Sequence, residues 1–122
     1  MEKLSVVVIT YNEELNIGRC LASVQTIADE IVVLDSFSDD QTISIARQYG
    51  ARVWQEPFKG YIQQKNRALE LATYPFVLSL DGDEEINATL KAAILACKKH
   101  FTFSGYRMKR CTNYCGQFIR HG

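Results

Sequence analysis

Two periodicities alternate along the first hundred residues. Short β-branched runs with consecutive apolar positions give way to polar stretches in which apolar residues recur at helical spacing. Leu4 to Thr10 reads as a buried strand. Glu13 to Val24 follows as a helix with Ile17, Leu21 and Val24 on one face and Asn12 as its N-cap. Glu30 to Leu34 is a second strand. Ser38 or Asp39 caps a helix reaching about Tyr49, where Gly50 takes the C-terminal stop position that glycine favours. Arg52 to Gln55 forms a third, shorter strand. Gly60 opens a helix carrying Ile62, Leu69 and Ala72, and Pro75 leads into a fourth strand, Phe76 to Leu80, apolar on both faces. A last helix runs from about Asn87 to Lys99.

Strands and helices in this order predict an α/β fold: an open, mostly parallel sheet flanked by helices and wound through right-handed crossovers. From Phe101 the pattern changes. Phe103 to Arg110 and Asn113 to Phe118 alternate in the manner of two antiparallel strands, and the sequence ends at His121-Gly122 with no closing helix. Residues 1–122 are therefore expected to form a single domain, the N-terminal part of a longer protein.

Composition narrows the function classes. With 47% apolar and 23% charged residues the chain is that of an ordinary globular domain. Fourteen basic residues balance fourteen acidic ones, so nothing in the overall charge favours nucleic acid or an anionic membrane, and an anionic partner must be gripped locally. No apolar run approaches the roughly 20 residues that cross a bilayer. The opening segment is too short and too β-branched for a secretory leader, which points to the cytoplasm. Cys20, Cys97, Cys111 and Cys115 form no repeated pair, so reduced thiols are expected. His100 and His121 have no partner spacing.

In open α/β sheets ligands bind beyond the carboxyl ends of the strands, where strand order reverses. The expected tips are Thr10-Tyr11-Asn12-Glu13, Asp35-Ser36-Phe37-Ser38 and Asp81-Gly82-Asp83-Glu84. The first turn has none of the glycines of a dinucleotide fingerprint, and no phosphate loop with its Lys and Ser/Thr is present. Asp35 nevertheless occupies the place where a carboxylate commonly accepts hydrogen bonds from ribose hydroxyls. Asp81 and Asp83 place two hard oxygen donors after a buried strand, suited to Mg²⁺ or Mn²⁺, and such an ion lets an acidic site hold a diphosphate. Blander roles exist beside these. Asp-Gly favours turns, Asp39 and Asp40 suit a helix start, Glu84 and Glu85 suit a helix dipole, and Lys65 suits an exposed helix face. Tyr61, Ile62 and Leu69 read as core or face residues. Arg107, Lys109 and Arg110 read as the solvent face of a strand, or as a contact for a phosphorylated acceptor.

Ser5 to Glu14, then Val32 to Asp40 with Thr42, then Leu80-Asp81-Gly82-Asp83-Glu84, together resemble the family 2 glycosyltransferases of the GT-A fold. The closest subgroup is the one that adds glucose-type sugars to bacterial lipopolysaccharide core. Each piece is weakly specific, but their order and spacing over residues 4 to 100 are not, and Lys65-Asn66-Arg67-Ala68 resembles the family's segment before the metal strand. The resemblance implies a nucleotide-diphosphate sugar donor. Asp35 would meet a uridine-type nucleoside, Thr10, Tyr11 and Glu13 would surround it, and Asp83, helped by Asp81, would hold the metal; apart from the resemblance, Lys65 is a candidate to neutralise diphosphate. The resemblance also implies inverting transfer to a saccharide or lipid-linked acceptor, leaving peripheral association with the inner face of the cell membrane open. The family's general base lies downstream in the acceptor half. No Asp or Glu follows Glu85, so no residue is matched to it. The alternative is a sugar-nucleotide-binding module without turnover; a flavodoxin-like signalling domain ranks last, because its carboxylates would end the first and third strands.

Overall fold

Alternate residues of each long strand enter different cores, which is why the strand sequences are apolar throughout rather than every second position. In the computed structural model, which describes residues 3–74, 76–89, 91–92 and 94–95, the elements run β1 (Leu4–Thr10), α1 (Ile17–Val24), β2 (Glu30–Asp35), α2 (Thr42–Gln48), β3 (Arg52–Gln55), α3 (Tyr61–Leu71) and β4 (Phe76–Asp81). Val6 and Val8 of β1, Ile31 and Val33 of β2, and Leu78 and Leu80 of β4 pack with Leu21 and Val24 of α1 and Ala46 of α2. Val7, Ile9, Val32, Leu34 and Val77 turn to the other face, where Ala68 of α3 meets them.

The sheet has the order β3-β2-β1-β4 with every pair parallel. Winding proceeds outward from β1 through β2 to β3 with α1 and α2 on one face. It then returns past β1 to β4 by way of α3 on the opposite face. A reversal of direction with crossovers of one hand requires this change of face. It also opens a crevice between the ends of β1 and its two neighbours. Register brings the tips together, with Thr10 opposite Asp35 and Ile9 opposite Asp81.

Both helix starts differ from expectation. The first helix begins at Ile17 rather than Glu13, and Asn12 is not its cap. Asn12 has φ +52°, and its side-chain oxygen accepts from Asp39 N–H at 3.0 Å. The second helix begins at Thr42, not after Ser38 or Asp39; Asp40 accepts from Thr42 N–H at 2.9 Å instead. In each case the residue expected to cap its own helix is committed to the neighbouring loop. Gly50 does follow the α2 C-cap, at φ +82°, where a side chain would be strained.

α3 starts after Gly60 as expected but does not bury the expected face. Ile62 is 74% and Leu69 41% exposed, whereas Gln64 and Ala68 are buried; of the three expected residues Ala72 alone packs on the core. The second and fourth strands each run one residue longer than expected, so Asp35 and Asp81 are strand-terminal rather than loop residues. Residues 88–89, 91–92 and 94–95 are helical, in line with the last expected helix. The two antiparallel strands expected after Phe101, together with Cys97, Cys111, Cys115 and both histidines, lie outside the described residues. Cys20 is a buried free thiol. Among the described residues no helix is long and apolar enough to cross a membrane.

Candidate functional site

Asp35 ties the first two strand tips together. Its carboxylate is fully buried and accepts from Thr10 Oγ1 at 2.7 Å, Ser38 N–H at 2.7 Å and Ser38 Oγ at 2.6 Å. The loops beyond it are laced by further bonds of the same kind. Asn12 N–H donates to Ser38 Oγ at 2.7 Å and Glu13 N–H to Thr42 Oγ1 at 2.8 Å. This lacing holds Phe37 at φ +61° with its ring 55% exposed, a backbone state that is uncommon outside glycine and asparagine.

The third tip closes on the first through backbone. Gly82 N–H donates to Ile9 C=O at 3.0 Å, and Asp81 N–H donates to Glu84 Oε1 at 2.7 Å. Glu84 is therefore turned back onto the strand end, not toward the following helix, while Glu85 pairs with Arg19 at 3.4 Å. Gly82 is buried in the crevice.

Between these tips and α3 lies a cleft of about 240 Å³. Thr10, Tyr11, Glu13, Asp81 and Asp83, all expected site residues, line it together with Gly82. Asp35 does not reach its surface and stands behind Thr10. Lys65 approaches from α3, its Nζ 3.8 Å from Asp81 Oδ1 and 5.1 Å above the Tyr61 ring, so it is not simply a solvated helix lysine.

Ser36, from the expected tip of the second strand, lines it as well, and so do Phe58, Tyr61 and Gln64, which lie outside the expected tips. Tyr61 hydroxyl donates to Asp81 Oδ2 at 2.7 Å, and Gln64 Nε2 donates to Ser36 Oγ at 3.0 Å, so α3 grips the tips on both sides of the crevice. A signal existed. Tyr61, Gln64 and Lys65 are spaced i, i+3 and i+4 on a helix, which places three polar-ended side chains on one face. Nothing comparable marked Phe58, which precedes the helix and is 60% exposed.

The site is acidic. Burial pushes the Cys20 thiol, under the β4 tip, up to about 12, and the negative charges of Glu84, Asp83, Glu13 and Asp81 add to that rise. Burial likewise lifts Glu84 above its ordinary value despite the hydrogen bond from Asp81 N–H, and the charges of Asp81 and Asp83 act in the same direction as burial. Asp81 Oδ1 is buried and accepts no hydrogen bond. A buried carboxylate oxygen without a donor is costly unless a cation faces it. Asp81 thus suits a hard divalent ion, and the exposed Asp83 stands two residues away to join it. Among the described residues no three His, Cys, Asp or Glu side chains converge as a ready-made metal cage. Mg²⁺ is usually held by one or two carboxylates plus substrate phosphates, so the residues present fit that manner of binding.

Comparison with known proteins agrees with this architecture. The family model "Glycosyl transferase family 2" matches residues 5–110. An uncharacterized glycosyltransferase of Rickettsia felis is 39% identical over 114 residues, covering 93% of this chain and 38% of the relative. The lipopolysaccharide core biosynthesis glycosyltransferase LpsC of Rhizobium meliloti is 37% identical over 93 residues, covering 72% of this chain and 34% of that protein. The chain thus spans between about a third and two fifths of the length of these relatives. Among solved structures, S. aureus TarS in complex with UDP superimposes with a TM-score of 0.61 at 34% identity, over 80% of this chain and 32% of that one. The mannosyltransferase PcManGT of Pyrobaculum calidifontis, in complex with GDP-Man and Mn²⁺, gives a TM-score of 0.67 at 26% identity, over 84% of this chain and 33% of that one. The fold is accordingly the GT-A, Rossmann-like fold of these glycosyltransferases.

Proposed function

The chain belongs to glycosyl transferase family 2, and from that membership we propose that its cleft binds a nucleotide-diphosphate sugar, of uridine type, together with Mg²⁺ or Mn²⁺. The protein then transfers the sugar with inversion to a saccharide or lipid-linked acceptor in bacterial cell-surface glycan synthesis. The observation that carries the reading is the orphaned Asp81 Oδ1, buried at the crevice where the strand order reverses. UDP in TarS, GDP-Man with Mn²⁺ in PcManGT, and the lipopolysaccharide role of LpsC support the donor, the cation and the pathway class respectively.

The residues divide the work by place. Thr10, Tyr11 and Glu13 form the β1 side of the nucleoside subsite, and Ser36 and Gln64 add polar atoms from the loop after β2 and from α3. Asp35 serves the nucleoside from behind this wall, through the two loops it joins. Asp83 and Asp81 would hold the cation, which would supply positive charge to offset that gathering on the diphosphate leaving group. Lys65 supplies a protein-borne positive charge on the same side. The carboxylate that would deprotonate the acceptor hydroxyl is not matched to any of these residues.

One feature favours a second reading of this stretch by itself. With no Asp or Glu after Glu85, residues 1–122 bind donor without transferring the sugar. Under this reading the protein acts in the cytoplasm, and lipid-linked acceptors would draw it to the inner face of the membrane.

Calorimetry with UDP tests the proposal. Binding is expected in Mn²⁺ or Mg²⁺, and is expected to fall at least tenfold in chelator and in Asp83→Ala. Equal affinity with and without the cation overturns the metal role. Absence of UDP or GDP binding under every condition overturns the donor site.

A further inference from the structure

The two oxygens of Asp81 are not equivalent. Oδ2 accepts the Tyr61 hydroxyl at 2.7 Å, whereas Oδ1 is buried, accepts no hydrogen bond and faces the Lys65 ammonium at 3.8 Å. A carboxylate with both oxygens in one environment could rotate and exchange them, since its terminal torsion is broad. Here a phenol carried on a different element fixes the rotation. Tyr61 is the first residue of α3, twenty positions before Asp81 and on the sheet face that α3 covers. The bond leaves Oδ1 directed to the side where a positive charge already lies.

We propose that Tyr61 is a positioning residue for the cation site: its hydroxyl locks the Asp81 carboxylate so that Oδ1 is presented to a divalent ion. The inference rests on the cation-dependent donor site proposed above. Its physical basis is general. Carboxylates that ligate metals are themselves oriented by hydrogen bonds from surrounding groups, and removing such a partner costs about 10–100-fold in metal affinity. Tyr61 does this without contributing a ligand atom. Its ring, 51% exposed, also carries the Lys65 ammonium 5.1 Å from its centroid, so the hydroxyl and the ring have separable effects.

Tyr61→Phe removes the hydroxyl and keeps the ring. In the absence of nucleotide, Mn²⁺ binding followed by the electron paramagnetic resonance of the free ion should weaken about tenfold in Tyr61→Phe. The thermal midpoint in chelator should stay within about 2 °C of wild type, because a hydrogen bond at an exposed site contributes little to folding. Equal Mn²⁺ affinity in wild type and Tyr61→Phe overturns this inference alone. A midpoint in chelator lowered by several degrees also overturns it, by making the bond a fold contact. Failure of the wild-type protein to bind Mn²⁺ overturns both this inference and the cation-dependent donor site.

Discussion

A Cβ placed on Gly82 would stand 2.9 Å from Glu13 Cγ and 3.0 Å from Thr10 Cγ2. The β4 turn therefore approaches the β1 loop more closely than any side chain allows, and this approach keeps Asp81 and Asp83 in the same cleft as Glu13. Thr10 cannot move aside easily, because Asp35 holds its hydroxyl. Gly82→Ala should destabilise the fold by about 1–3 kcal/mol, the usual cost of overpacking. It should also weaken UDP binding. Urea unfolding and calorimetry on the same variant check both; an unchanged midpoint with unchanged affinity would show that the turn gives way freely.

Asp35 offers a way to separate support from contact. Its charged oxygens accept three hydrogen bonds in a fully buried position, and Asn would turn an N–H₂ toward groups that donate. Asp35→Asn should lose about 2–4 kcal/mol of stability, since hydrogen bonds to charged groups contribute about 1.5–3 kcal/mol each. Comparing the denaturation midpoint with UDP affinity at a temperature where the variant stays folded checks this. Lost affinity with no loss of stability would place Asp35 directly on the nucleoside and make its bonds to Thr10 and Ser38 secondary.

The strands were legible because burial on both faces leaves a plain mark: uninterrupted Val, Ile and Leu between polar tips. The bounds of β1 and β3 and the Gly60 start of α3 follow from local pattern alone. The starts of α1 and α2 do not. Asn12, Ser38 and Asp39 have the chemistry of helix caps, but their bonding groups go to partners 26 or 27 residues away, and no local rule reports such a choice. α3 misled for a related reason. Its apolar residues Ile62 and Leu69 face outward, while Gln64 is buried and its amide reaches Ser36 in the loop after β2. The acids of the site were visible as strand-tip chemistry. Their companions Tyr61 and Gln64 share a helix face by their i, i+3 spacing, but only the packed position of α3 brings that face over the crevice.

Glu30 makes a pH-dependent clamp at the opposite end of the sheet. Burial alone would raise its pKa, but hydrogen bonds from the Thr73 hydroxyl and N–H, from Ser5 and from Arg52 outweigh it and hold the carboxyl below its ordinary value. A depressed native pKa contributes stability that is complete above the unfolded value and is lost as pH falls through the native one. Glu30→Gln should therefore lower the thermal midpoint near pH 7, and the difference from wild type should shrink as pH drops below about 4, near the ordinary glutamate value. Thermal unfolding at a series of pH values checks this; a gap that widens in acid would contradict it.

Lys65 should affect metal and nucleotide in opposite directions. Its ammonium lies 3.8 Å from Asp81 Oδ1, so it competes with an incoming divalent ion for that oxygen. Both partners are partly exposed, at 30% and 31%, so the pair is worth about 0.2–1 kcal/mol rather than the larger figure of a buried one. Replacing Lys65 by Met keeps much of the stem over the Tyr61 ring and removes the charge. Mn²⁺ alone should then bind up to about fivefold tighter, the equivalent of about 1 kcal/mol. A diphosphate, once present, reverses the balance. The ammonium released from Asp81 gains phosphate oxygens as charge-assisted acceptors, so UDP at saturating Mn²⁺ should bind about tenfold more weakly to Lys65→Met. Two titrations of one variant decide the matter. If both constants move in the same direction, Lys65 does not exchange between carboxylate and diphosphate, and its approach to Asp81 is only a surface ion pair.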